Sequence, residues 1–140
     1  MEQKLIELAL KARLNSYSPY SKYSVGAALI TSDGKYYSGC NIENASYGAT
    51  NCAERTAIFK AVSEGEKTIT MIAIAGGPHS DNPESLSDYA YPCGICRQVL
   101  REFSDPDNVE IIVARSVNDY KVFSLNELLP DSFGPDYLNK

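Results

Sequence analysis

Apolar positions Leu5, Leu8, Ala9 and Ala12 recur at three- and four-residue intervals, while Glu2, Lys4, Glu7, Lys11 and Arg13 mostly fall off that stripe. The period marks an amphipathic helix, placed at residues 2–14. Tyr17-Ser18-Pro19-Tyr20-Ser21, a proline among small polar residues with two exposed-looking tyrosines, then reads as an irregular connection. Runs at 25–31 and 35–42 are strand-like and joined through Ser32-Asp33-Gly34. Asp-Gly between such runs signals a hairpin, so these two strands should be antiparallel neighbours.

Residues 43–51 are rich in Asn, Ser, Gly and Thr, whereas 52–64 is helix-compatible throughout and stops at Gly65, a good residue just past a helix end. Asn51 is the expected N-cap, with Glu54 three residues on. A β-branched and apolar run at 68–75 predicts a third strand, buried on both faces. The sixteen residues 76–91 lack periodicity and are expected to form a long loop, and Pro92 introduces a helix at 93–103. Strands follow at 109–114 and 121–123, then Ser124-Leu125-Asn126-Glu127 as a capping box before a last turn ended by Pro130, with an irregular tail from Asp131. The order predicts an α/β fold: a three-layer α/β/α arrangement around a mixed five-stranded sheet, its later strands parallel.

At 140 residues, 44% hydrophobic and 22% charged, the chain is expected to be a single globular domain spanning 1–140. Thirteen Lys and Arg against eighteen Asp and Glu give a net charge of −5 with no basic run, which disfavours a nucleic-acid partner. Met1-Glu2-Gln3 opens no signal sequence and no apolar run could span a bilayer, so no membrane association and a cytoplasmic location are expected.

Four cysteines, Cys40, Cys52, Cys93 and Cys96, are too few and too unevenly spaced for a disulfide framework, which turns attention to metal or redox chemistry. Cys52 opens one predicted helix, and Cys93 with Cys96 opens another on a shared face. Helix N-termini lower thiol pKa and so favour the metal-binding thiolate. Three protein ligands around Zn²⁺ leave a fourth tetrahedral position for water, as in catalytic zinc sites. Glu54, two residues after Cys52, can hang beside that position and move protons without ligating the ion. Cys52-Ala53-Glu54 with Pro92-Cys93-Gly94-Ile95-Cys96 matches a zinc-deaminase signature, with Cys in place of the first His. Three thiolates against Zn²⁺ leave the cluster at −1, and Arg55 is the candidate that offsets this charge by donating to a sulfur.

Further pieces in the same order are Val25-Gly26-Ala27-Ala28, Gly39-Cys40-Asn41-Ile42-Glu43-Asn44-Ala45-Ser46-Tyr47-Gly48, Arg97-Gln98 and Leu128-Leu129-Pro130 with Phe133. With the two metal motifs and Tyr17-Ser18-Pro19-Tyr20-Ser21, the set resembles the cytidine deaminases of the small, homotetrameric, zinc-dependent type over nearly the whole chain. The resemblance implies the cytidine deaminase-like fold, one Zn²⁺ per subunit, and hydrolytic deamination of cytidine and 2′-deoxycytidine to the uridines in pyrimidine salvage. It further implies attack by hydroxide on carbon 4 of the base, with Glu54 protonating ring nitrogen 3 and the departing amino group. The Ala53 amide would bind the base carbonyl, and Asn41 and Glu43 the ribose 3′-hydroxyl. Ala45 and Tyr47 would approach the 5′ end and Phe133 would cover the base, both across subunits of a homotetramer with shared active sites. Tyr23 stands where the family usually has a base-stacking Phe; Ser24, Ile95 and the extended loop before Pro92 also depart from the commoner pattern.

Plainer readings remain for single residues. Cys93-Gly94-Ile95-Cys96 alone could be a redox pair, and Cys40 could complete a four-sulfur structural site, although on a predicted strand it reads more simply as a small buried apolar residue. Glu54 could be a capping carboxylate, Asn41 and Asn44 turn residues, and Tyr17, Tyr20 and Tyr23 packing aromatics. His79, in the polar loop, is expected to be solvated and gets no role. Two rivals stand beside nucleoside deamination: a deaminase of a cytosine-bearing antibiotic or modified nucleoside, and a structural-zinc interaction protein without turnover.

Overall fold

In the computed structural model, which describes residues 1–138, one five-stranded sheet carries helices on both faces. The elements are α1 (Glu2–Arg13), β1 (Tyr23–Thr31), β2 (Tyr36–Cys40), α2 (Ala53–Ser63), β3 (Ile69–Pro78), α3 (Gly94–Glu102), β4 (Glu110–Ser116), β5 (Asp119–Ser124) and α4 (Leu125–Leu128). The strand order is β2-β1-β3-β4-β5. Alternation along the central strands divides the core in two. Ala28, Ile30, Met71, Ala73, Ile112 and Ala114 meet Leu5, Ile6 and Ala9 of α1 on one face. Ala27, Leu29, Ile72, Ile74, Ile111 and Val113 meet Ala57, Ile58 and Ala61 of α2 and Leu100 of α3 on the other.

The β1–β2 hairpin is antiparallel as expected, turning at Gly34 with φ +81°. α2 ends as expected at Gly65, whose φ is +93°; the Gly65 and Glu66 amides donate to the carbonyls of Val62 and Ala61 and close the helix. The Ser124 capping box is present in both its bonds.

Other expectations are corrected. β1 begins at Tyr23 rather than 25, and β2 stops at Cys40, leaving Ile42 in isolated bridges to Tyr17 and Asn51. Because the Asn51 carbonyl and amide are spent on Ile42, Asn51 does not cap α2; Cys52 is the N-cap, without a side-chain capping bond. β3 continues to Pro78, so the expected loop loses its first residues: Gly76 and Gly77 pair with Val25 and Ser24. Strand pairing is a property of the partner, and two glycines with no apolar side chain gave it no signature. A Cβ on Gly76 would sit 2.9 Å from the Ala90 Cβ and 3.3 Å from the Tyr23 ring, so glycine lets the loop close over the strand end.

β3 and β4 run parallel as expected, but β5 is antiparallel to β4. Only Val117 and Asn118 separate β4 from β5, far too short a connection for a parallel crossover. The tail, expected to be irregular, contains a 3₁₀ turn at Pro135–Tyr137; its last two residues lie outside the described ones. Among the described residues no helix is long and apolar enough to cross a membrane.

Candidate active site

Cys52 and Cys93 are the N-caps of α2 and α3, and Cys96 is the third residue of α3. In both helices the N-cap carbonyl accepts the first helical bond, from Thr56 and Arg97, each at 3.0 Å. The two helices thus start side by side and aim their unpaired N–H groups at one point. Cys52 Sγ lies 3.8 Å from Cys93 Sγ, Cys93 Sγ lies 3.5 Å from Cys96 Sγ, and all three sulfurs are within 4.8 Å of one another. Sulfurs about 2.3 Å from a tetrahedral zinc stand about 3.8 Å apart, so the trio fits that ion and leaves one corner open. Cys40 is outside the trio; it is half-buried rather than fully buried, and burial raises its pKa.

The surrounding charges suit a thiolate cluster. A hydrogen bond from Cys96, joined by one from Arg55, lowers the Cys52 pKa to about 5, and the same shared proton holds that of Cys96 up. Arg55 Nη2 donates to Cys52 Sγ at 3.2 Å. Burial opposes the Arg55 charge, yet its bonds to the Cys52 and Cys96 sulfurs keep its pKa above the ordinary value. Its Nε is buried without a hydrogen-bond partner among the described residues, so the guanidinium holds donor capacity in reserve.

Glu54 is only 6% exposed, and burial lifts its pKa to about 7, with the Cys52 charge adding to the effect. A carboxyl that titrates near neutrality can both take and give a proton.

A cavity of about 370 Å³ opens at this point, lined by Tyr23, Asn41, Cys52, Ala53, Glu54 and Cys93 together with Val25, Thr50, Asn51, Ile74 and Tyr89 to Tyr91. The Ala53 amide belongs to the first turn of α2 and has no helical acceptor to satisfy. Asn41 is fixed by two backbone groups: its Nδ2 donates to Tyr23 O and its Oδ1 accepts from Val25 N, each at 2.9 Å. Glu43 lines an adjoining hollow with Tyr20, Ser21, Tyr47 and Thr50, and accepts the amides of Tyr20 and Ser21 at 3.0 and 3.2 Å. A further bond from the Ser21 hydroxyl holds Glu43 below the usual carboxylate range. Ala45 and Phe133 line neither space; Phe133 is 57% exposed and stacks on Tyr137 at 5.5 Å. A larger hollow of about 720 Å³ between α1 and Pro83 to Ser85 lies away from the cysteines and gathers no comparable chemistry.

Residues 1–112 match the family model described as the cytidine and deoxycytidylate deaminase zinc-binding region. The chain belongs to this family. It is 43% identical over 137 residues to a cytidine deaminase of Halalkalibacterium halodurans, covering 98% of this chain and 97% of that protein. A probable cytidine deaminase of Dictyostelium discoideum is 40% identical, covering 97% and 86%. The crystal structure of cytidine deaminase from Burkholderia pseudomallei superposes with a TM-score of 0.83 at 44% identity, covering 95% of this chain and 99% of that one. Zinc is therefore the metal that the Cys52, Cys93 and Cys96 trio of this family member is built to hold.

Seven lining residues of this deaminase-family cavity, Val25, Thr50, Asn51, Ile74 and Tyr89 to Tyr91, were not named as site residues from the sequence. Tyr89, Ala90 and Tyr91 immediately precede Pro92 and Cys93, and that adjacency to a metal ligand was the available signal. The Tyr89 hydroxyl donates to Asp119 at 2.5 Å while Arg115 and Lys121 approach its ring at 4.6 and 4.5 Å, tying this wall to β4 and β5. His79 is exposed as expected, but its ring is not merely solvated: Nε2 lies 2.7 Å from Ser18 Oγ.

Proposed function

We propose that this chain catalyses the hydrolytic deamination of cytidine and 2′-deoxycytidine to uridine and 2′-deoxyuridine with release of ammonia, using one zinc ion per subunit. The observation that carries the reading is the placement of a buried, near-neutral Glu54 beside three sulfurs at zinc spacing, with Glu54, Cys52 and Cys93 lining one cavity. When bound, zinc supplies the Lewis acidity that makes water nucleophilic near neutral pH.

Cys52, Cys93 and Cys96 hold the ion, and Arg55 with the two helix N-termini offsets the surplus negative charge of three thiolates. Glu54 takes a proton from water as its oxygen bonds to carbon 4 and places that proton on ring nitrogen 3, where it stays in the product. As the carbon–nitrogen bond breaks, Glu54 carries the remaining hydroxyl proton to the amino nitrogen, which leaves as ammonia. The Ala53 amide receives the base carbonyl, and Tyr23 forms a wall of the base site. One Asn41 N–H is committed to Tyr23 O, which leaves the other to donate to the ribose 3′-hydroxyl, while the ionised Glu43 accepts from it.

Ala45, Tyr47 and Phe133 serve a neighbouring subunit of a homotetramer: Ala45 and Tyr47 at the 5′ end, Phe133 over the base. The 74% exposure of Tyr47 and 57% exposure of Phe133 support a covering partner. A cytoplasmic role in pyrimidine salvage, with no nucleic-acid or membrane partner, accords with the net charge of −5 and with a nucleoside as the whole substrate.

The test is absorbance-monitored deamination of cytidine with zinc quantified in the same samples. Glu54→Gln should retain the metal and lose roughly 10²–10⁴-fold in turnover. Undiminished turnover in that variant rejects the mechanism, and an inactive wild type with full zinc content rejects the function.

A further inference from the structure

Two hydroxyls and an imidazole with no part in the steps above form a line ending on Asn41. His79 Nε2 lies 2.7 Å from Ser18 Oγ, Ser18 Oγ lies 3.0 Å from Ser16 Oγ, and Ser16 Oγ bonds to Asn41 Oδ1. Ser18 is 3% exposed, so the middle of the line is sealed from solvent. The His79 amide donates to Lys22 O at 2.9 Å, which ties the far end to the connection leading into β1.

The protons in this line have one consistent arrangement. Asn41 Nδ2 must face Tyr23 O and Oδ1 must face Val25 N, because a flipped carboxamide would set donor against donor and acceptor against acceptor. Ser16 therefore donates to Oδ1. A hydroxyl has one proton, so Ser18 must donate to Ser16, and the proton between His79 and Ser18 must come from Nε2. Nε2 carries that proton in one neutral tautomer and in the cation, so the order holds in either charge state. Ser24 Oγ, 3.4 Å from Ser18 Oγ, can donate to the lone pair left on Ser18.

We propose that Ser16 is a positioning residue for sugar recognition, its hydroxyl proton ordered through Ser18 by His79, fixing the Asn41 carboxamide with its second N–H free for the nucleoside. The inference rests on the reading that Asn41 meets the ribose 3′-hydroxyl. Oδ1 already accepts from Val25, and the Ser16 bond further polarises the carboxamide and strengthens its remaining N–H as a donor.

The experiment is steady-state kinetics of the zinc-loaded enzyme with cytidine and with 3′-deoxycytidine, the latter also read as a competitive inhibitor. Ser16→Ala should raise KM for cytidine roughly three- to tenfold, the worth of one hydrogen bond, with kcat within about twofold. It should leave KM or Ki for 3′-deoxycytidine unchanged, because that nucleoside lacks the hydroxyl concerned. Ser16→Thr, which keeps a hydroxyl, should restore the cytidine KM. His79→Gln, which keeps an N–H donor, should stay closer to wild type than His79→Leu. An equal rise for both nucleosides, or no rise for either, overturns the inference. Should Ser16→Ala not fold, the Gln and Leu variants at 79 carry the same comparison, and equal cytidine KM values in that pair overturn the relay. A wild type that does not turn over cytidine defeats the functional reading itself, whereas an active wild type with indifferent variants defeats the relay alone.

Discussion

Glu54 and Arg55 are neighbours in sequence, yet the fold treats their charges in opposite ways. Burial lifts the Glu54 carboxyl to about 7, while the Cys52 and Cys96 sulfurs hold the Arg55 guanidinium more firmly charged. The carboxyl becomes a proton carrier and the guanidinium a fixed counter-charge. Removing that counter-charge leaves the sulfur cluster more negative, which makes the nucleophilic water harder to deprotonate and moves the acid limb of the pH–rate profile to higher pH. Arg55→Gln should accordingly turn over more slowly at neutral pH and recover part of the loss on the alkaline side. A profile superimposable on that of wild type would show that the Cys52 contact at 3.2 Å has no electrostatic role.

At the scale of elements, close approaches and one bridging carboxylate hold the layers together. A Cβ on Gly26 of β1 would lie 1.9 Å from the Ala9 carbonyl oxygen and 2.6 Å from the Arg13 amide. α1 sits against the sheet because position 26 has no side chain. Gly26→Ala should therefore cost about 1–3 kcal/mol or more in unfolding free energy, measured by denaturant titration. Arg13 reinforces the same contact through bonds of 2.8, 2.8 and 2.7 Å to the carbonyls of Ser24, Gly77 and Pro78.

Glu66, just after α2, accepts from Thr31 at the end of β1 at 2.9 Å and pairs with Lys35 at 3.4 Å. The Thr31 bond, aided by Lys35, holds the Glu66 pKa below its usual value. A depressed folded pKa contributes stability that is present above the unfolded value of about 4.3 and lost as pH falls through the folded one. Glu66→Gln should melt at lower temperature than wild type at neutral pH, and the gap should narrow in acid below about pH 4. A gap that stays constant across that range argues against a linked titration at Glu66.

At the scale of the whole molecule, the proposed assembly bears on what covers the site. Cys93, which lines the cavity with Glu54, is exposed, and within this chain neither Phe133 nor Ala45 lines that cavity. If Phe133 of one chain covers the base held by another, Glu54→Gln and Phe133→Ala preparations should each be weak alone. Mixed and reassembled, they should exceed the mean of the two, because hybrid sites unite an intact Glu54 with an intact Phe133. Activity equal to the mean of the parents would confine each site to a single chain.

The sequence determined those features that local chemistry fixes. Apolar spacing gave α1, Asp33-Gly34 gave the hairpin, Gly65 and Ser124 gave helix boundaries, and two cysteine motifs gave the metal trio with its carboxylate. Each depends on residues a few positions apart, where backbone geometry sets what a side chain can reach. Only the tertiary structure decided the rest. It extended β3 across two glycines because β1 offered partners, reversed β5 because two residues cannot cross a sheet, and moved the N-cap from Asn51 to Cys52 because Ile42 claimed the Asn51 backbone. It also joined His79, Ser18 and Ser16 to Asn41 and brought Tyr89 into the cavity wall. Hydrogen bonds between residues distant in sequence form wherever folding brings donor to acceptor, and no local pattern records the meeting.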